Sequence, residues 1–313
     1  MISIIIPNHN KESYLAEAFD SLLNQTYQDW EAIIVDDGST DQSIAIIELY
    51  ARKDTRFKPL FLEKQEHGGA ACRNFGMDKA SGEHLIFFDS DDILLPQCLE
   101  NRMNFFIGNS KVDFAVFGME SFVYDQSKSG HKWIVKKEHA LERFLRHELP
   151  WAIMQPIYKR TFLTSNELRW RVDISRMQDV FFHTECLLKK PVFETVPDAI
   201  DCKFRVDPKR MISDRLVHYQ NWVNAVSLYY NTHLSLAIDY CDLLNEMLVR
   251  AQQVLHQAYL KKEITKAELK QLVTELASNS DSRLVQLYCF LLSNLPFHIP
   301  GIQFTVVQVL RKI

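Results

Sequence analysis

The chain has 313 residues, 47% of them apolar and 24% charged, enough to build one large α/β domain and a smaller partner. A formal net charge of -4, with no dominant basic block, argues against nucleic acid as the main partner. The six cysteines, Cys72, Cys98, Cys186, Cys202, Cys241 and Cys289, form no close-spaced pair, which speaks against a zinc site or a disulfide framework and for reduced thiols.

In chain order, Met1 to Pro7 reads as a buried strand, too short for a signal peptide, and Asn8-His9-Asn10 is a polar loop. A helix is expected from about Glu12 to Asn24, where Tyr14, Leu15, Ala18 and Leu22 recur at helical spacing. A second strand, Trp30 to Val35, ends in Asp36-Asp37-Gly38-Ser39-Thr40-Asp41, where Gly38 permits a tight turn and Ser39, Thr40 or Asp41 suits a helix cap. A third strand near Phe57 to Leu62 leads to Glu66-His67-Gly68-Gly69 and a helix ending near Ala80-Ser81-Gly82. The apolar run His84 to Phe88 then ends in Asp89-Ser90-Asp91-Asp92. Strand and helix alternate, so a mainly parallel α/β sheet is expected, with its polar loops on one edge. Open α/β sheets bind ligands at that edge.

Three carboxylates within four residues repel one another unless a cation or a hydrogen-bonding ligand sits among them, and a hard divalent ion suits such oxygens. The alternative is a turn followed by a helix cap, with Pro96 opening the next helix. Beyond it, Val112 to Gly118 reads as a strand, Phe122 to Val135 as a hairpin broken by Asp125 to Gly130, and His139 to Arg146 as a short helix. Ala199 to Val206 reads as a closing strand, with Lys203, Arg205, Lys209, Arg210 and Arg215 as a basic cluster.

From about Met211 the pattern becomes helical: Leu216 to Tyr230, Leu234 to Tyr259, Thr265 to Ala277 and Ser282 to Leu292, with a capping box at Thr265-Lys266-Ala267-Glu268. The expected division is 1–213 and a helical C-terminal domain or extension, 214–313. Its apolar stripes pack internally or on the first domain, or serve a dimer or a membrane surface together with the tail Phe297 to Phe304 and the ending Val309 to Ile313. Neither stretch is long enough to span a bilayer.

Ile5-Ile6-Pro7-Asn8-His9-Asn10, Leu23-Asn24-Gln25-Thr26-Tyr27, Val35-Asp36-Asp37-Gly38-Ser39-Thr40-Asp41, Gly69-Ala70-Ala71-Cys72-Arg73-Asn74, Ala80-Ser81-Gly82-Glu83 and Phe88-Asp89-Ser90-Asp91-Asp92 occur in that order. Together they resemble the motifs of family 2 glycosyltransferases with the GT-A fold, densely in about the first third of the chain and thinly as far as about Ser213. The resemblance implies an inverting transferase that takes a sugar from a nucleoside diphosphate, most often a UDP-sugar, with Mn²⁺ or Mg²⁺ as cofactor. It implies that Pro7 and His9 flank the nucleobase, although the family usually carries an aromatic residue where His9 stands. Asp37 would bond the polar edge of the base, Arg73 would lie near the phosphates, Asp89 would meet the ribose or the metal, and Asp91 would be the direct metal ligand. In Met177-Gln178-Asp179-Val180, Gln178 stands where the family has glutamate, and Asp179 keeps the position of the general base.

Weaker carry-overs are Trp151 as an acceptor-side platform, with a core tryptophan as its alternative, and His183 as an assistant to Asp179, with a bystander as its alternative. Arg205 is carried over from a loop that closes on donor phosphates, with a solvated face as its alternative, while Cys202 and Asp207 depart from that motif. The partners implied are a nucleotide-sugar donor and a glycan or lipid-linked acceptor, at the cytoplasmic face of the membrane. Two other readings stand beside this one: a non-catalytic nucleotide-sugar-binding subunit and a sugar nucleotidyltransferase. Pro7-Asn8-His9-Asn10 lacks the Gly-rich loop of the latter.

Overall fold

The structure, a computed structural model, describes residues 1–62, 67–123, 129–206, 215–234 and 241–278. The described residues fall into two compact units: Met1–Leu141, Leu149–Asp173 and Gln178–Arg210 in the first, and Glu142–Glu148, Ile174–Met177 and Met211–Ile313 in the second. The expected boundary at Ser213 lies outside the described residues, as do Lys209, Arg210, the helix Ser282 to Leu292, the apolar tail and most of the tip of the 122–135 hairpin.

The first unit begins β1 (Ile2–Asn8), α1 (Glu12–Leu23), β2 (Trp30–Asp36), α2 (Ser43–Lys53), β3 (Phe57–Phe61), α3 (Gly69–Lys79) and β4 (His84–Phe87). These are the alternating elements expected from the sequence. β1 pairs in parallel with both β2 and β4, and β2 with β3. Strands covered on both faces need apolar side chains throughout, which is why Ile2, Ile4, Ile5 and Ile6 are fully buried in β1 and Leu85, Ile86 and Phe87 in β4. Two glycines permit close approach here. A Cβ on Gly82 would lie 2.6 Å from the backbone nitrogen of Ser3, and one on Gly76 would lie 2.5 Å from Ile5.

The chain continues through β5 (Ile93–Leu94), α4 (Cys98–Gly108), β6 (Phe114–Val123), β7 (Ser129–Trp133), α5 (Ala140–Leu145), β8 (Pro156–Lys159), α6 (Arg160–Ser165), α7 (Gln178–Leu188) and β9 (Phe193–Val206). Among the described residues the strand order is β3-β2-β1-β4-β8-β6-β9-β5, with β7 on β6. The half beyond β4 is mixed, because β8 runs antiparallel to both β4 and β6 while β9 runs parallel to β6. β8 opens with Pro156, tolerable at a first strand position, and its four residues carry too little pattern to announce a strand. β9 begins before the expected Ala199 because the ladder survives Pro197 as a bulge: Val196 pairs with Phe117 and Ile200 with Gly118. Gly118 makes this possible, since a Cβ there would meet the Pro197 carbonyl at 2.9 Å.

The second unit holds α8 (Arg215–Leu234), α9 (Cys241–Leu260) and α10 (Lys266–Ser278), each packed on the other two. The capping box at the start of α10 is reciprocal. Thr265 N–H donates to Glu268 Oε2 at 2.6 Å, and Glu268 N–H to Thr265 Oγ1 at 3.3 Å.

One buried ion pair ties β9 to α4. Arg102 Nε and Nη2 donate to the two carboxylate oxygens of Asp201 at 2.8 Å each, and the side chains are 0% and 1% exposed. Removing one partner leaves the other charge buried without compensation. Arg102→Leu is therefore expected to lower the unfolding free energy by about 3–5 kcal/mol. Urea denaturation checks it, and an unchanged midpoint would contradict the assignment.

Candidate active site

The polar loops after β1, β2 and β4 meet because these three strands are hydrogen-bonded neighbours. Asp36, 1% exposed, braces the turn after β2, accepting from Ser39 N–H at 2.9 Å, from Ser39 Oγ at 2.6 Å and from Asn8 Nδ2 at 2.7 Å. Asn10 has a left-handed φ of 51°, which asparagine tolerates, and its Oδ1 accepts from Thr40 N–H at 2.8 Å. The two loops are thus interlocked through main chain and short polar side chains.

Pro7 is the next-to-last residue of strand β1, and the exposed His9 lies in the loop that follows it. His9 Nδ1 is 2.7 Å from the Asp37 carbonyl, which accepts but cannot donate, so Nδ1 carries the proton and Nε2 accepts from Asn10 Nδ2 at 3.1 Å. The imidazole is therefore held in one orientation beside Asp37. The Asp37 carboxylate is engaged on both oxygens, by His67 Nδ1 at 2.6 Å and by Gly68 N–H at 2.6 Å. Gly68 has a φ of 94°, which a side chain would strain. His67 is 65% exposed, so its bond to Asp37 is one that water can readily replace.

The acidic loop resolves its own repulsion by giving each carboxylate a different environment. Asp89 Oδ1 accepts from Arg73 Nη2 at 2.7 Å, with 34% of the Asp89 side chain exposed. Asp91 Oδ2 accepts from the ammonium of Lys11. Asp92 is buried, and burial, reinforced by the charges of Asp89 and Asp91, pushes its carboxyl well above the usual range. It accepts from Arg205 N–H at 2.8 Å.

Arg205 is placed differently from a loop that closes on phosphates. It sits in β9 with its side chain 3% exposed, donating through Nε to the Asp91 carbonyl at 2.7 Å and through Nη2 to Glu17, with its guanidinium over the rings of Tyr14 and Phe122. Its task in this structure is to brace the acidic loop from behind.

Arg73 joins this loop to the start of α7. It is 5% exposed on α3, its Nη1 donates to Gln178 Oε1 at 3.1 Å, and its guanidinium lies 4.7 Å from the centre of the Trp170 ring. Trp170 stacks on Phe182 of α7 with ring centres 4.1 Å apart, and Asn74 Oδ1 accepts from Trp170 N–H at 2.9 Å. Residue 177, which precedes α7, is a methionine held at a φ of 59°, a conformation costing on the order of 1–3 kcal/mol that persists where surrounding packing over-determines it. Asp179 follows, partly buried, with Oδ1 accepting from Val180 N–H at 2.9 Å. Burial raises its pKa, the Val180 N–H and the Arg73 charge oppose that rise, and Asp89 adds to it.

Two acceptor-side expectations are corrected. Trp151 is 0% exposed, packed against Phe114, Phe193 and His183, and offers no open face to a sugar. His183 is 1% exposed and bonded through Nδ1 to Tyr158 OH at 2.9 Å; burial, helped by the Arg73 charge, depresses its pKa to about 3. It stays neutral at physiological pH and belongs to the core beneath Asp179. Lys11, Glu17 and Trp170 were not singled out by the sequence, where each is an ordinary surface-type or core-type residue. A cation three residues beyond the end of β1 was the available signal for Lys11, given that β1 adjoins β4.

Asp89 and Asp91 are partly exposed oxygen donors, the chemistry a hard divalent ion takes. No group of three or more His, Cys, Asp or Glu among the described residues could hold a metal by itself, so a cation here needs further oxygens, which a diphosphate carries.

The model of glycosyl transferase family 2 matches residues 3–162. An uncharacterized glycosyltransferase of Haemophilus influenzae is 47% identical over 112 residues, covering 36% of this chain and 44% of that protein. EpsH of Bacillus subtilis is 30% identical over 189 residues, 58% of this chain and 54% of its own. TuaG of the same organism, named for teichuronic acid biosynthesis, is 36% identical over 110 residues, 35% of this chain and 43% of its own. The chain thus spans about half the length of the curated relatives it matches. Among solved structures, Staphylococcus aureus TarS 1–349 in complex with UDP-GlcNAc superposes with a TM-score of 0.69 at 22% identity over 89% of this chain and 80% of that one. A Pyrobaculum calidifontis mannosyltransferase in complex with GDP-Man and Mn²⁺ gives 0.54 at 17% identity, over 99% and 86%. The fold is the GT-A fold of TarS.

Because the Arg73 charge holds the Asp179 pKa down, Arg73→Met is expected to raise it. Carboxyl-carbon NMR titration of Asp179 reads this directly. A midpoint that stays put or falls would uncouple the two residues.

Proposed function

As the chain belongs to glycosyl transferase family 2, we propose that it moves a sugar from a nucleoside diphosphate donor, a UDP-sugar, to a hydroxyl of a glycan or lipid-linked acceptor, with inversion, in surface polysaccharide biosynthesis. The observation that carries this reading is the guanidinium of Arg73, which bonds at once to Asp89 of the acidic loop and to Gln178 beside Asp179. One cation thereby links the carboxylates suited to a donor with the carboxylate suited to an acceptor. The UDP and UDP-GlcNAc complexes of TarS support a uridine donor, and the name of TuaG supports a polysaccharide acceptor.

In this reading Pro7 and the oriented His9 flank the base, and Asp37 exchanges His67 for its polar edge. Asp91 and Asp89 would hold Mn²⁺ or Mg²⁺, which when bound stabilises the negative charge growing on the leaving diphosphate. Arg73 adds a fixed positive charge in a water-poor setting. Asp179 accepts the proton of the acceptor hydroxyl as that oxygen attacks the anomeric carbon from the face opposite the diphosphate, a single displacement that inverts the configuration. Gln178, neutral where the family carries glutamate, spares Asp179 a further like charge.

Residues 1–213 would carry the transfer and 214–313 a helical extension that contacts a membrane surface or a second copy, with the enzyme at the inner face of the cell membrane. No helix among the described residues is long and apolar enough to cross a membrane.

Asp179→Asn keeps size and much of the hydrogen bonding, and removes basicity. Transfer should fall by at least about a hundredfold, the low end for a general base, with donor affinity nearly unchanged. In the unaltered protein the base works only when ionised, so activity is present above the raised Asp179 pKa and lost as pH falls through it. That acid limb should lie above the usual aspartate range and disappear from the residual activity of Asp179→Asn. Near-normal transfer by the folded variant, or a product of retained configuration, would sink the mechanism.

A further inference from the structure

Asp91 already has a cation that sugar transfer as described does not use. Lys11 occupies the loop after β1, and its ammonium meets Asp91 Oδ2 across the boundary between neighbouring strands β1 and β4. The root of this side chain is fixed. Lys11 N–H donates to Ser43 Oγ at 2.9 Å, and the Lys11 carbonyl accepts from Tyr14 N–H at 2.9 Å and Leu15 N–H at 3.1 Å, opening α1. The tip is not locked in the same way: 26% of the Lys11 side chain and 22% of the Asp91 side chain are exposed. Arg73 and Arg205, by contrast, have 6% and 3% of their side chains exposed. Of these three cations around the acidic loop, Lys11 is thus the one with room to move, a compact charge on a flexible four-carbon stem.

A divalent ion on Asp91 and the Lys11 ammonium would share one carboxylate and repel each other. We propose that Lys11 is a built-in counter-cation of Asp91 that guards the carboxylate while the donor site is empty, competes there with a divalent ion, and passes to the diphosphate of the arriving nucleotide. The proposal rests on the donor reading above. Its consequence is a coupling between two ligands. Nucleotide draws the ammonium away and opens Asp91 to metal, so metal and nucleotide each raise the affinity of the other by the same factor. The free protein takes up metal poorly and the nucleotide-bound protein takes it up well. A Lys11 replacement without charge removes the guard and most of the coupling.

The test is a Mn²⁺ titration of the full chain, read by the electron paramagnetic resonance of free Mn²⁺, with and without UDP, on the unaltered protein and on Lys11→Met, Lys11→Gln and Lys11→Arg. Without UDP, Lys11→Met and Lys11→Gln should bind Mn²⁺ about tenfold more tightly than the unaltered protein, within the range of ordinary coupling between ligands. Lys11→Arg, which keeps the charge, should not. UDP should tighten Mn²⁺ binding in the unaltered protein by more than in Lys11→Met. Calorimetric affinity for UDP without metal should fall in Lys11→Met, because the diphosphate has lost a cation. Thermal melting verifies that each variant is folded, and Lys11→Gln serves should Lys11→Met fail to fold. Mn²⁺ affinity unchanged or weakened in both neutral variants overturns the proposal. The two readings fail separately: binding of no nucleoside diphosphate by any variant defeats the donor site and with it the hand-over, whereas intact UDP binding with equal Mn²⁺ affinity throughout defeats Lys11 alone.

Discussion

Asp89, Asp91 and Asp92 share a four-residue loop at the end of β4, and the rest of the site is arranged around keeping them there. Like charges so close destabilise any fold that brings them out of bulk water. The protein meets this with three separate devices drawn from distant parts of the chain. Lys11 comes from the loop after β1, Arg73 from α3, and the Arg205 main chain from β9 serves a carboxyl that burial holds toward its neutral form. Two of these devices also fix an element. Arg205 secures the mixed end of the sheet to the parallel end, and Arg73 secures the start of α7.

The placement of Asp179 follows from the same arrangement. α7 is held by its apolar face, where Phe182 stacks on Trp170 and meets Phe87 of β4 edge-on with ring centres 5.5 Å apart. The Arg73 guanidinium also lies over Trp170 and reaches Gln178. A shift of the acidic loop is therefore felt at the first turn of α7 through a few buried groups. Fixed charges and dipoles of this kind are what stabilise a transition state without reorganisation during the reaction.

The parallel half of the sheet was legible because β1, β2 and β4 are apolar runs that end in Asn, Asp, Ser and Gly, and their helices carry a clear period. The acidic loop was marked by three close carboxylates behind an apolar run, and Asp179 was singled out through resemblance to a family. What escaped depended on tertiary contacts. β8 is too short to show a period, and β9 continues through Pro197 only because Gly118 leaves room for the bulge. Arg205 reads in sequence as part of a basic, solvated cluster and is instead buried against Glu17 and Asp91. Trp151 carries no mark in the sequence of which rings will cover it. Lys11 went unmarked because its meaning lies in a partner 80 residues away.

Thermal melting of the full chain with nucleoside diphosphates, alone and together with Mn²⁺, reads out whether the acidic loop is a donor site. A ligand that binds the native state alone raises its stability by about 2.7 kcal/mol at a hundred times its dissociation constant. One nucleoside diphosphate, UDP first, should raise the melting temperature, and Mn²⁺ should enlarge this shift by more than it raises the melting temperature by itself. A melting temperature indifferent to every nucleoside diphosphate, with or without Mn²⁺, would contradict a donor site at the acidic loop.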